Sequence, residues 1–277
     1  MVEVGRRRNL VCALLCGGLM VAARTSAAQG FEVASIKAHA AGDTRQTGIA
    51  PVAPGGRVTI IGLTVRDLTR MAFSTPAALL PSQVAGGPAW LDSTRFDIVA
   101  IGGDRLSSPA TGPGTLLSML RTLLEDRFRM KSHVEQRTMP IYALVVDRAD
   151  RRLGPKLKPA ASECTPPGVA GALTASRVCG FTRFSPVAMS ANGITLDLLA
   201  GVLASHPDVQ RVVRNRTNLA DRFDLDLEFT PMSPNGGAEA GPSLFTALKE
   251  QLGLRLDGDR GAVDVHVIDA VEMPSEN

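Results

Sequence analysis

The sequence predicts an α+β fold built as two tandem related β-α-β-β-α-β-β halves, with helices packed on mixed or antiparallel sheets. Two observations carry that prediction. Apolar residues switch repeatedly between helical spacing and strand alternation along the chain. Four short strings also recur in the same order about 130 residues further on, as a duplication with altered loops would leave them. Gly62-Leu63-Thr64 returns as Gly193-Ile194-Thr195, and Arg95-Phe96-Asp97-Ile98 as Arg222-Phe223-Asp224-Leu225. Thr115–Leu124 returns as Ser243–Leu252, and Val145-Val146-Asp147 as Val267-Ile268-Asp269.

Each element has a local cause. Thr64 is an N-cap with Asp67 as its capping-box partner, and Leu68, Met71 and Ala72 form the apolar face of the helix that follows. Leu116, Leu117, Leu120, Leu123, Leu124 and Phe128 recur at helical spacing and define the second helix. In the second half Thr195 caps a helix whose face is Leu196, Leu199 and Leu203. Ser243 opens the last helix, which buries Leu244, Phe245, Leu248 and Leu252 and ends at Gly253. Phe223, Leu225, Leu227 and Phe229 alternate with Asp224, Asp226 and Glu228 as in a half-buried strand. Ile141–Val146 and Val263–Ile268 read as apolar strands, and Asp257–Gly261 as a hairpin turn.

Residues 1–28 read as a secretory signal peptide. Arg6-Arg7-Arg8 is the positive start, Leu10–Ala23 the apolar run, and Ser26-Ala27-Ala28 the small-residue cleavage site. The apolar run falls short of the roughly 20 residues of a membrane span. Leu15 before Cys16 argues against a lipoprotein signal, and a twin-arginine signal is the lesser alternative. The expected organisation is a signal peptide at 1–28, a first half at 29–148, a Pro- and Gly-rich loop at 149–182, and a second half at 183–277. No stable membrane span is expected after signal removal, and the mature chain is expected in the periplasm or outside the cell. Cys164 and Cys179 remain there as an even pair, which reads as one disulfide tying the loop.

Charge and motifs exclude several functions. The chain carries 30 Lys and Arg against 27 Asp and Glu, and the excess sits in the signal segment. The mature protein is neutral, so charge argues for no nucleic-acid partner. Nine Phe, one Tyr and one Trp are too few for a base-stacking platform. His39, His133, His206 and His266 are scattered and form no His-Glu-x-x-His motif. No Gly-x-Ser-x-Gly elbow, Ser-x-x-Lys or phosphate loop occurs, so no catalytic residue, metal or cofactor is assigned. Asp224, Asp226 and Glu228 read as a solvated strand face met by basic neighbours rather than as a Ca²⁺ site. Gly86-Gly87-Pro88-Ala89-Trp90 is the most distinctive string. Trp90 with Gly86 and Gly87 is the one binding candidate, although a plug in the core beside Phe96 is the preferred reading of Trp90.

Four strings together resemble an uncharacterised exported family of bacterial proteins, the Solibacter-type domain of unknown function abundant in soil acidobacteria. They are Phe31–Lys37, Gly86–Ala100, Gly154–Lys158 and Val267–Asn277. The chain departs from that family's pattern at Asn218 and Asp221, which replace glycines in a turn. The resemblance implies export and a shared fold, and assigns no activity. Related domains occur joined to antirepressor-like membrane metallopeptidases, which implies sensing or interaction. Two readings of function follow. The first is a non-enzymatic cell-envelope binding, interaction or sensing module whose partner is an envelope protein or a small ligand. The alternative is an envelope hydrolase with a site assembled between the halves, for example from His133 or His266 with strand carboxylates.

Overall fold

The computed structural model describes residues 30–74, 79–107, 113–160, 164–165, 178–230 and 241–275. The proposed signal segment lies outside them. Three four-stranded sheets form the frame. The first lobe holds β1 (Val33–Ala38), β2 (Gly48–Ile49), β3 (Arg57–Thr64) and β5 (Arg95–Ile101), in the order β1-β5-β3-β2 and antiparallel throughout. The second lobe holds β7 (Leu157–Pro159), β8 (Gly180–Ser185), β9 (Ala188–Ile194) and β11 (Phe223–Glu228), in the antiparallel order β7-β11-β9-β8.

The third sheet joins the lobes. Its centre is a long antiparallel ribbon of β6 (Lys131–Val146) and β12 (Leu254–Ala270). The short strand β4 (Val84–Gly86) pairs in parallel with β12, and β10 (Val213–Asn215) pairs in parallel with β6. Strands of the first half therefore pair with strands of the second on both sides. Ile268 of β12 is buried in the first core, while Leu144 of β6 is buried in the second.

Leaving aside the short helical turns around β4 and β5, the run of β3, a helix, β4, β5, a helix and β6 recurs as β9, a helix, β10, β11, a helix and β12, with β1 and β2 preceding the first run and β7 and β8 the second. The helices are α1 (Val65–Ala72), α4 (Pro113–Arg127), α5 (Leu196–Ser205) and α6 (Leu244–Ala247), the last prolonged by a π turn over Leu248–Leu252. Two single turns, α2 (Trp90–Ser93) and α3 (Asp104–Ser107), flank β5. The expected caps form. Thr64 Oγ1 accepts from the Asp67 amide at 3.1 Å, Thr195 Oγ1 from Leu198 at 3.3 Å and Ser243 Oγ from Thr246 at 3.2 Å. Gly253 closes the last helix at φ +69°. The stripe on α4 buries Leu120, Leu123, Leu124 and Phe128 against Ile36, Ile60 and Ile98. The second core gathers Leu199, Leu203, Phe223, Leu225, Leu248 and Leu252.

One device appears once in each lobe. Gly62 and Gly193 take left-handed φ of +63° and +55° where β3 and β9 shift register against their partners. Arg95 donates to the Gly62 carbonyl at 2.7 Å, and Asp97 accepts from the Gly62 amide at 2.9 Å. Arg222 and Asp224 hold Gly193 in the same way, at 2.8 Å each. Phe96 and Phe223, between the clamping residues, point into the two cores. Two residues after each glycine comes the threonine that caps α1 or α5. The clamp thus aims a helix across its sheet.

Two expectations are corrected. Asp257–Gly261 lies inside β12, paired residue by residue with Met139–Ala143, and forms no hairpin turn. Along this stretch Gly258 and Arg260 are exposed, and opposite on β6 Tyr142 and Ile141 carry the apolar contacts, so polar residues are tolerated on β12 here. Asp257 pairs with Arg255 and Asp259 with Arg216. The loop at 149–182 is not wholly irregular, because Leu157–Pro159 adds an edge strand to the second lobe. The Cys164–Cys179 disulfide is present. Asn218, where the resembling family has glycine, adopts φ +55°, a conformation Asn tolerates better than other side chains.

A side chain at either clamp glycine meets a wall. A Cβ on Gly62 would stand 2.9 Å from Thr47 Cγ2, a movable methyl, and one on Gly193 would stand 2.2 Å from Cys164 Sγ, held in the disulfide. Gly62→Ala should cost about 1–2 kcal/mol for its left-handed backbone, and Gly193→Ala distinctly more. Urea unfolding of both variants measures this, and equal losses would count against the clamp geometry.

Candidate functional site

A cleft of about 550 Å³ opens where the two lobes meet over the joining sheet. From the first half come Phe73, at the end of α1, Leu79 and Leu80 before β4, and Arg121 on α4. From the second come Asp197, Ala200, Gly201 and Ala204 on α5. Strand β10 and its entry contribute Val212–Asn215, and β12 contributes Asp264 and His266. Each wall is placed by ordinary folding causes. The threonine cap starts α5 and its Leu196, Leu199, Leu203 face sinks into the second core, leaving Asp197 and Gly201 towards the other lobe.

The polar groups of the cleft are held but not mated. Arg121 Nε donates to the Ala72 carbonyl at 2.7 Å, and its guanidinium lies 5.1 Å from the centre of the Phe73 ring. His266 packs on the same ring, 4.6 Å between centroids. Arg214 donates to the Ala262 carbonyl at 3.1 Å. Asp264 Oδ1 accepts from Gln136 at 3.3 Å. Among the described residues none of Arg121, Arg214, Asp197 and Asp264 has an ion-pair partner within 4.0 Å. Burial pushes the His266 imidazole below its ordinary pKa, the Arg121 charge adds to this, and Asp264 opposes it.

A second polar cluster sits over the first clamp. His39 Nδ1 lies 2.7 Å from Asp97 Oδ1, and Arg45 reaches both Asp43 and Asp97. Burial raises the Asp97 carboxyl, but hydrogen bonds from His39, Gly62 and Arg45 outweigh it and hold the group below the usual carboxylate range. Asp43 is held at about 2 by its hydrogen bonds from Arg45. His39, Asp43 and Asp97 offer atoms within 4.8 Å of one another, a spacing that admits a cation. Arg45 already supplies a positive charge to both carboxylates, and a metal would have to displace it. In the second lobe the disulfide occupies the corresponding place over Gly193.

The residues singled out from the sequence fall as follows. Trp90 opens α2 and packs half-buried on the first core, 6.4 Å from the Phe96 ring and edge-on to it. Gly86 and Gly87 are exposed at φ +76° and +72°. A Cβ on Gly86 would stand 2.6 Å from the Ile268 carbonyl oxygen, and one on Gly87 2.2 Å from Leu91 Cδ1. Both glycines therefore permit close approach of chain segments, and none of the three residues lines the cleft. Arg183 meets Asp226 and Glu228 at 3.3 and 3.5 Å, and Lys156 meets Glu228 at 3.3 Å, the basic neighbours expected for that strand. His133 contacts Asp269 at 2.9 Å on an exposed part of the ribbon. Of the two histidines considered for a site between the halves, only His266 is in the cleft. Sequence reasoning missed Arg121, Arg214, Asp197 and His39. The repeated Arg-Phe-Asp string marked the place where His39 gathers, and no local signal marked the other three.

A family model described as a protein of unknown function, DUF3738, matches residues 66–271. That is most of the chain, which therefore belongs to this family. No curated protein and no solved structure matches it.

The histidines give a pH test. Burial lowers the folded pKa of His266 and of His206. A depressed histidine stabilises the fold above its unfolded pKa, near 6.5, and that contribution is lost as pH falls through the folded value. His133 runs the other way, raised by its hydrogen bond to Asp269. NMR titration should give midpoints below 6.5 for His266 and His206 and above 6.5 for His133, with melting temperature falling from pH 7 to 5 less steeply in His266→Gln.

Proposed function

We propose that this DUF3738 member is an exported, non-enzymatic binding module of the bacterial cell envelope, and that its ligand seats in the cleft between the lobes. One observation carries the reading: a cleft built from both halves of the chain, about half of its lining apolar, with four charged side chains left without an ion-pair partner among the described residues. Its volume suits a small molecule. Export is supported by the anatomy of residues 1–28 and by the Cys164–Cys179 disulfide, a bond that persists in oxidising compartments. The recurring element order and the twin Arg-Phe-Asp clamps support descent from one duplicated unit.

The hydrolase alternative has less support. His266 makes no hydrogen bond to a carboxylate among the described residues. His133 does, but it stands half-exposed outside the cleft. Neither has a hydroxyl or thiol hydrogen-bond partner among those residues, the pairing that a nucleophile and its base would show.

A thermal-shift screen of small metabolites on the disulfide-bonded protein tests the reading. A ligand at a hundred times its Kd should add about 2.7 kcal/mol to stability, and Gly201→Phe, which fills the cleft, should abolish the shift while leaving the circular dichroism spectrum unchanged. Turnover of any hit that is lost in His266→Gln or His133→Gln would overturn the non-enzymatic assignment.

A further inference from the structure

Resting on the cleft reading above, we infer that the ligand is a zwitterion with an apolar body, and specifically a short apolar peptide with free amino and carboxyl ends. The argument starts from charge. Elsewhere in the molecule some arginines meet carboxylates, as Arg66 does Asp92 and Arg183 does Asp226, and others, such as Arg95 and Arg127, bond a backbone carbonyl instead. In the cleft two guanidinium groups and two carboxylates share one cavity, and no pair comes within 4.0 Å. They are not interchangeable neighbours on a floppy surface. Arg121 is anchored at Nε by the Ala72 carbonyl and laid on Phe73, and Arg214 is anchored by Ala262. Each anchor uses one of five guanidinium N–H donors, leaving four.

The carboxylates have fixed places on the fold. Asp197 stands in the first turn of α5, where the helix amino terminus favours a negative charge. Asp264 stands on the ribbon beside His266 and accepts from Gln136. The two arginines and two aspartates cancel, and burial disfavours the charged form of His266 beside them. A simple anion that approaches the arginines also meets two carboxylates, and a simple cation meets two arginines. A neutral molecule leaves all four to water. A molecule carrying a carboxylate at one end and an ammonium at the other engages both sets at once. Fork-shaped guanidinium pairing suits a carboxylate, and Asp197 and Asp264 suit an ammonium. Phe73, Leu79, Leu80, Ala200, Ala204 and Val213 supply the apolar walls for side chains between the ends. The volume of about 550 Å³ suits a peptide of two or three residues.

Calorimetry with four probes of one body separates the charges: Leu-Leu, N-acetyl-Leu-Leu, Leu-Leu amide, and the doubly blocked N-acetyl-Leu-Leu amide. Leu-Leu should bind at least tenfold more tightly than either singly blocked probe. Arg214→Gln should weaken Leu-Leu severalfold and leave Leu-Leu amide unchanged, and Asp197→Asn should weaken Leu-Leu and leave N-acetyl-Leu-Leu unchanged. Both substituted side chains are exposed, so folding is not at risk. Blocked probes binding within threefold of Leu-Leu, or no probe binding, would overturn the inference. The cleft reading fails separately, if the metabolite screen yields no ligand that Gly201→Phe blocks.

Discussion

The fold depends on a backbone glycine held open by an arginine and an aspartate two residues apart. An antiparallel strand that must end by launching a helix back over its own sheet needs a bend, and a left-handed residue supplies one without a side-chain clash. Such a bend leaves an amide and a carbonyl out of the ladder. Asp97 and Arg95 satisfy them in the first lobe, and Asp224 and Arg222 in the second. The phenylalanine between them is forced to the opposite face of the strand and anchors the core. Polar satisfaction, helix direction and core packing are thus set by three consecutive residues, and disturbing any one releases the other two.

What covers each clamp differs between the lobes, and this bears on how a single architecture diversifies. The first lobe uses a charged lattice of His39, Asp43, Arg45 and Asp97, and the second a covalent bridge. Both place bulk over the glycine. The cleft is lined by neither cover, and of its four charges Asp197 sits on α5, the helix that the second clamp launches.

Local signals were legible in the sequence and distant ones were not. Thr64, Thr195, Ser243 and Gly253 act through neighbours three or four residues away, so their caps could be read directly. The stripe on α4 and the alternation of β11 were equally local. Asp257–Gly261 misled because turn-forming residues became strand only when β6 supplied a partner more than a hundred positions earlier. Arg121 and Asp197 look like solvent-facing helix charges until the lobes are placed side by side. The joining sheet was hidden for the same reason: strand alternation reveals faces but not which distant strand will pair.

That sheet has a consequence for how the protein comes into being. β12 is synthesised after every strand it pairs with, yet it supplies the partner of β4 and seats Ile268 in the core of the first lobe. Until it arrives, β6 lacks its long neighbour and the first core lacks one wall. Contacts so remote along the chain close slowly, and a half-made chain offers open strand edges to any other chain nearby. Both lobes wait on this one strand, so a nascent chain needs shielding from association until β12 has emerged.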